Sequence, residues 1–162
     1  MGKLKKIGLG GGCHWCTEGV FVSLIGVERV EQGWISSVAP NDAFSEAVIV
    51  HYDPDRISAV SLLDVHLRTH AAIKVHGLRH KYRSAVYYFD VSDRAQLTDL
   101  LILAGNEFAE PIITRVLPFV AFKPSLPEHR DYYRTDPGRP FCVRFIAPKL
   151  DFLRGYRGGV VR

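Results

Sequence analysis

The chain predicts an α+β fold, with a mixed or antiparallel sheet carrying packed helices around a split βαβ core. Three observations point there. Apolar residues form short β-rich runs near Ile7–Leu9, Ala47–Tyr52 and Ser84–Phe89. They recur at helical spacing after Cys13, Ser58 and Ser92. The two patterns alternate in the order β-α-β-β-α-β-α-β.

Lys5 to Leu9 predicts the first strand, and Gly10-Gly11-Gly12 permits a tight turn into a helix over Cys13 to Ile25. Val20, Phe21, Leu24 and Ile25 fall on one side of that helix. Val27 to Ile35 suits a second strand, and Ser36 to Ala43 has loop composition. Ala47 to Tyr52 is a third strand, closed by Asp53-Pro54, and Ser58 caps a helix running towards His70. Ala71 to Lys81 is short, basic and glycine-punctuated and gives no pattern. Ser84 to Phe89 is a strand, and Ser92 caps a helix through Leu97, Leu100, Leu101 and Ala104. Pro111 ends the helical region, and Ile112 to Phe122 reads as one strand in which Pro118 favours an edge or a bulge. Glu128 to Tyr133 suits a turn or two of helix, and Lys149 onward reads as mostly irregular. Within this order lies a ferredoxin-like split βαβ core. No repeat or linker divides the chain, so residues 1–162 are expected to form one domain, with 151–162 as a basic glycine-rich tail.

At 162 residues and 47% hydrophobic content, the chain is long enough to bury a real core. Its net charge of +4 is spread along the length without a basic run, which argues against nucleic acid as a partner. No apolar stretch approaches membrane-spanning length, and Lys3, Lys5 and Lys6 precede no signal-like segment. A cytoplasmic protein without a membrane partner is expected. Three cysteines are too few, and odd in number, for a disulfide framework. Cys13, Cys16 and Cys142 instead suit a redox relay. Cys13 and Cys16 with His14 would also supply soft zinc ligands, but a structural site needs a second ligand pair, so no metal is expected.

The sharpest chemistry lies in Gly10 to Glu18. A thiol at a helix N-terminus meets unpaired N–H groups and the positive end of the helix dipole, both of which favour thiolate. Cys13 therefore reads as a nucleophile, with Cys16 one turn on. The competing reading makes both cysteines small buried hydrophobes. A dinucleotide loop does not fit, because residue 15 is tryptophan where G-x-G-x-x-G needs glycine.

Gly11-Gly12-Cys13-His14-Trp15-Cys16-Thr17-Glu18 resembles the Gly-Cys-Phe-Trp signature of A-type peptide methionine sulfoxide reductases. Glu46-Ala47-Val48 with His51-Tyr52-Asp53-Pro54, Lys81-Tyr82-Arg83-Ser84, Pro140-Phe141-Cys142 and Pro148-Lys149-Leu150 resemble further segments of that family in the same order. The likeness runs from about residue 5 to 153. It implies a thiol-dependent reductase of methionine S-sulfoxide, free or in peptides, that repairs oxidised protein. It also implies no bound cofactor, a cysteine sulfenic acid intermediate, and disulfides reduced by a thioredoxin-like external thiol.

By that resemblance Cys13 is the nucleophile, Glu46 the acid that protonates the sulfoxide oxygen, and Tyr82 a phenol donating to the same oxygen. Burial of a carboxyl among apolar groups favours its neutral form, which such an acid requires. Trp15 matches an aromatic wall for the substrate methyl group, with His14 and Trp34 completing the pocket. Cys16 and Cys142 are both candidate resolving cysteines.

The pattern also departs from the family. His14 stands where phenylalanine is usual, no tyrosine follows Trp34 before Glu46, and counting back from Tyr82 puts Gly77 where an aspartate is expected. His76 or His80 would be polar substitutes for that aspartate. These departures leave open another small sulfoxide as substrate. They also leave open a general thiol oxidoreductase or peroxide-reactive enzyme, and a non-catalytic redox-sensing or ligand-binding domain.

Overall fold

Ile7 and Leu9 of β1 (Lys5–Gly10) face the helices, whereas Gly8 and Gly10 face the opposite side of the sheet. This computed structural model describes residues 3–70, 72, 82–156 and 159–162. After β1 come α1 (His14–Val22), β2 (Val27–Ser36), β3 (Ser45–Tyr52), α2 (Ala59–Thr69), β4 (Ala85–Tyr88) and α3 (Arg94–Gly105). Then follow β5 (Arg115–Pro118), β6 (Ala121–Pro124), α4 (Tyr132–Thr135), a π-helical segment Cys142–Ile146, and α5 (Ala147–Arg154). The uncertain Ala71–Lys81 stretch, including His76, Gly77 and His80, lies outside the described residues except for Ala72.

The first four strands take the order β4-β1-β3-β2, all antiparallel, which is the split βαβ core expected from the pattern. β5 adds parallel to β4 at one edge, and β6 adds antiparallel to β2 at the other. The expected single strand Ile112–Phe122 is therefore two strands on opposite edges. Pro118 ends the first of them, and the edge position tolerates its missing N–H.

The three Cα steps from Pro118 to Ala121 reach no more than about 11 Å. A flat six-stranded sheet would hold its edges about 24 Å apart. The sheet therefore curls until its edges meet. The Phe119 N–H donates to the Tyr88 carbonyl at 2.9 Å, the Val120 N–H to the Ser36 carbonyl at 3.0 Å, and Ser37 Oγ to the Pro118 carbonyl at 2.6 Å. Ile35, Ala47, Ile49, Ala85, Tyr87 and Leu117 fill the concave side. The convex side packs Ile7, Leu9, Val48 and Val50 against Phe21, Leu63 and Leu101 of the three long helices.

Several local boundaries differ from expectation. α1 stops at Val22, where Ser23 Oγ donates back to the Gly19 carbonyl, so Leu24 and Ile25 lie beyond the helix and Ile25 is exposed. Asp90, rather than Ser92, caps the turn before α3, because its carboxylate accepts the Ser92 N–H at 2.9 Å. The region from Lys149 is helical as far as Arg154, with Leu150 and Leu153 buried. Beyond it, the Ile25 N–H donates to the Val160 carbonyl and the Arg162 N–H to the Ser23 carbonyl, so described residues of the basic tail lie against the α1–β2 turn. Among the described residues, no helix is long and apolar enough to cross a membrane.

Candidate active site

β1 ends at Gly10 and α1 begins at His14, which makes Cys13 the N-cap of the first helix. The Cys16 thiol donates a hydrogen bond to the Cys13 sulfur and is the largest influence on its ionisation. Burial opposes it, the Trp15 and Cys16 N–H groups add to it, and the Glu46 charge works against it. The balance lowers the Cys13 pKa from 9.0 to about 7. Cys16 is driven far the other way, because its proton is held in that bond and its thiol is desolvated.

Glu46 projects from β3, where it pairs with Trp34 of β2, and is only 6% exposed. Its Oε1 accepts the His14 backbone N–H at 3.2 Å. The His14 ring lies beside the same carboxyl, with Nε2 3.5 Å from Oε1. On the other side of the ring, Nδ1 meets the Gly33 carbonyl at 2.7 Å. The ring edge also packs on Trp34, with centroids 5.0 Å apart and planes at 67°. His14 is thus a buried polar group that bridges two strands.

A cleft of about 310 Å³ opens at Cys13, lined by Gly11, Gly12, Cys13, Cys16, Thr17, Thr69, His70, Tyr82 and Lys149. The β1–α1 turn and the end of α2 meet there. A Cβ at Gly11 would lie 2.4 Å from His70 Cδ2, so only glycine lets these elements approach so closely. His70 Nε2 bonds Ser84 Oγ at 2.8 Å, and that hydroxyl meets Thr114 Oγ1 at 2.7 Å. Behind it, His66 stacks on His70 at 4.2 Å, and burial, aided by the His70 charge, holds the His66 pKa well below the ordinary range. Lys149 Nζ donates to the Thr69 carbonyl, and its charge acts to lower the Cys16 pKa against the larger opposing influences.

Cys13 and Tyr82 therefore share one cleft. Glu46 and His14, both buried, form an adjoining group with the half-buried Trp34, tied to Cys13 by the His14 N–H and the Glu46 charge. Trp15 does not line the cleft. Its ring stacks on Tyr132 at 4.2 Å and 8°, and meets Phe141 edge-on at 5.4 Å. Cys142 is fully buried with Ile146 and Leu150, in a cluster that Cys16 packs against, and burial pushes its thiol pKa up.

Glu18, quoted in the sequence motif without a role, accepts from Gln32 Nε2 at 2.9 Å and from the Asp131 and Tyr132 N–H groups at 2.9 and 3.1 Å. Burial raises its pKa against those three bonds. It straps the segment carrying Tyr132, Phe141 and Cys142 onto α1. Thr17, one turn after Cys13 on α1, was also missed as a cleft residue, as were Thr69 and His70, which only the crossing of α2 behind the glycine turn brings there. The run Gly11-Gly12 is the one sequence signal of that close crossing. Among the described residues, no cluster of three or more His, Cys, Asp or Glu side chains is arranged to hold a metal ion.

Residues 5–156 match the family model described as peptide methionine sulfoxide reductase. The peptide methionine sulfoxide reductase MsrA of Deinococcus radiodurans is 33% identical, over 94% of this chain and 82% of that protein. The crystal structure of Mxr1 from Saccharomyces cerevisiae in reduced form superposes with a TM-score of 0.71 at 21% identity, covering 84% of this chain and 87% of that one. Mxr1 in complex with Trx2 superposes at 0.61 and 21% identity, over 78% of this chain and 84% of that one. With the family model matched across nearly the whole length and a relative one-third identical over almost all of it, the chain belongs to the peptide methionine sulfoxide reductase family.

Proposed function

We propose that the chain reduces methionine S-sulfoxide to methionine, with Cys13 as nucleophile, Glu46 as acid and Tyr82 as a further donor to the sulfoxide oxygen. The observation that carries this reading is a Cys13 thiol with a pKa of about 7 at a helix N-terminus, adjoining a buried carboxyl group. The Cys13 thiolate attacks the sulfoxide sulfur while a proton from Glu46 reaches the oxygen. As the S–O bond breaks, methionine leaves and Cys13 carries the oxygen as a sulfenic acid. The substrate sulfur gains the two electrons that the Cys13 sulfur loses. In this reading His14 and Trp34 bound the space for the methyl group, whereas Trp15, packed on Tyr132 and Phe141, lies outside the cleft.

Cys16 resolves the sulfenic acid first, because its thiol already bonds the Cys13 sulfur. The Cys13–Cys16 disulfide forms with release of water. Cys142, packed against Cys16, takes the disulfide next and frees Cys13. A thioredoxin-like protein is the proposed external reductant, as the Mxr1–Trx2 complex suggests by analogy. Three free thiols suit the reducing cytoplasm. A general thiol-exchange role is less well supported, because disulfide exchange has no use for a buried acid beside the nucleophile.

A dithiothreitol-driven assay on both epimers of free and peptide methionine sulfoxide tests the proposal. Turnover of the S-epimer alone is expected, with a loss of about 10²-fold or more in Glu46→Gln. Equal turnover of both epimers, or an active Glu46→Gln enzyme, would refute it. The family's additional oxygen-binding tyrosine is absent here, and loss of a positioned donor costs about 10²-fold or more in rate. A modest turnover number is therefore expected.

A further inference from the structure

His14 is half of a two-residue arrangement that the Cys13–Glu46–Tyr82 mechanism does not use. A carbonyl oxygen can only accept, so the 2.7 Å contact to Gly33 fixes the proton on Nδ1. The neutral ring therefore turns a bare Nε2 towards Glu46 Oε1, 3.5 Å away. That is an ion-pair distance, and such contacts commonly tighten when substrate binds. The Gly33 bond, the Trp34 packing and the His14 N–H to Oε1 hold the two groups in one geometry with both side chains buried.

We propose that His14 is a positioning residue that shares the transferable proton with Glu46, so that the pair rather than the carboxyl alone supplies the sulfoxide oxygen. In this arrangement the pair shares one such proton. It is either a carboxylic acid donating to Nε2 or an imidazolium beside a carboxylate. Transfer to the sulfoxide oxygen leaves a carboxylate and a neutral imidazole, and solvent returns the proton after methionine leaves. Among the described residues, titratable groups around the pair include Cys13 and Cys16 at the start of α1, and Lys123 of β6, whose ammonium lies 5.6 Å from the Trp34 ring centroid. Tyr82 and His70 line the adjoining cleft, and the Arg83 guanidinium donates to the Ile35 and Ala43 carbonyls. The proposal rests on Glu46 being the acid of the reductase reaction.

The sign of the effect follows from the pairing. An imidazole with an ordinary pKa of about 6.5 binds its proton more tightly beside a carboxylate. The imidazole thus extends the pH range over which the shared proton is kept. The test is the pH profile of kcat/KM on a peptide S-sulfoxide for the wild type, His14→Phe and His14→Gln, the last retaining a donor for Gly33. The alkaline limb should move to lower pH by about one unit or more in both variants. The pH profile of Cys13 alkylation should stay in place or move slightly up, since the Glu46 charge works against the thiolate, and thermal unfolding checks that each variant is folded. An unmoved alkaline limb in a folded variant overturns the proposal, as does a shifted alkylation profile with the limb in place, which would make His14 a partner of the thiol. Glu46→Gln separates the two levels. Full activity there removes the underlying reading, whereas an inactive Glu46→Gln with unmoved His14 profiles removes only the shared proton.

Discussion

At the scale of single residues, Cys13 owes its lowered pKa to two kinds of donor. The N–H groups of Trp15 and Cys16 belong to any helix N-terminus, and the sequence alone indicates them. The larger influence, the Cys16 thiol, depends on how two side chains one turn apart actually point. A group lowered from 9.0 to about 7 gains its thiolate as pH rises through 7 instead of 9. Iodoacetamide alkylation of Cys13 should therefore rise with a midpoint near pH 7, and Cys16→Ala should move that midpoint up towards 9. An unchanged midpoint would assign the activation to the helix terminus. His14 shows the limit of local reading most plainly. It was legible as a departure from an aromatic wall, but its partners come from β2 and β3, and spacing along α1 reveals neither.

At the scale of elements, the β-α-β-β-α-β order was legible because alternation and helical spacing each act within a short window. α5 was not. Lys149, Asp151 and Arg154 dilute its apolar pattern, and Pro148 looks like a breaker although it sits in the first turn, where its missing N–H costs nothing. Glu18 is the device that holds the Asp131–Tyr132 turn, ahead of the Cys142 segment, against α1. Glu18→Ala would leave the Asp131 and Tyr132 N–H groups without their acceptor and the Gln32 amide with only the His129 carbonyl. Such losses cost about 1–3 kcal/mol per buried donor. A destabilisation of about 2–4 kcal/mol in urea unfolding is expected, with faster hydrogen exchange at the Asp131 and Tyr132 amides. Global destabilisation with those amides still protected would show that other contacts hold the strap.

At the scale of the whole molecule, closure of the sheet is the feature hidden from the sequence. Alternation tells which face a residue occupies but not which edge its strand joins, so Ile112–Phe122 read as one strand. The short Phe119-Val120 link between opposite edges makes the curl necessary. Its interior is built around Tyr87, fully buried, for which Gly8 makes room: a Cβ there would lie 2.8 Å from Tyr87 Cβ and 2.9 Å from Ile35 Cδ1. Gly8→Val should destabilise by about 1–3 kcal/mol in chemical denaturation through overpacking. A neutral result would mean that the concave side is loosely filled.

The family assignment covers nearly the full chain, but the claim at its centre is that Cys13 opens a relay through Cys16 and Cys142. The most direct measurement is a single-turnover experiment on fully reduced protein, with excess methionine S-sulfoxide and no added thiol, that counts methionine released and maps the disulfides formed. The wild type should release two methionines per chain and retain a Cys16–Cys142 disulfide. Cys142→Ser should release one and stop at Cys13–Cys16, and Cys13→Ser should release none. Methionine release by Cys13→Ser would contradict the account.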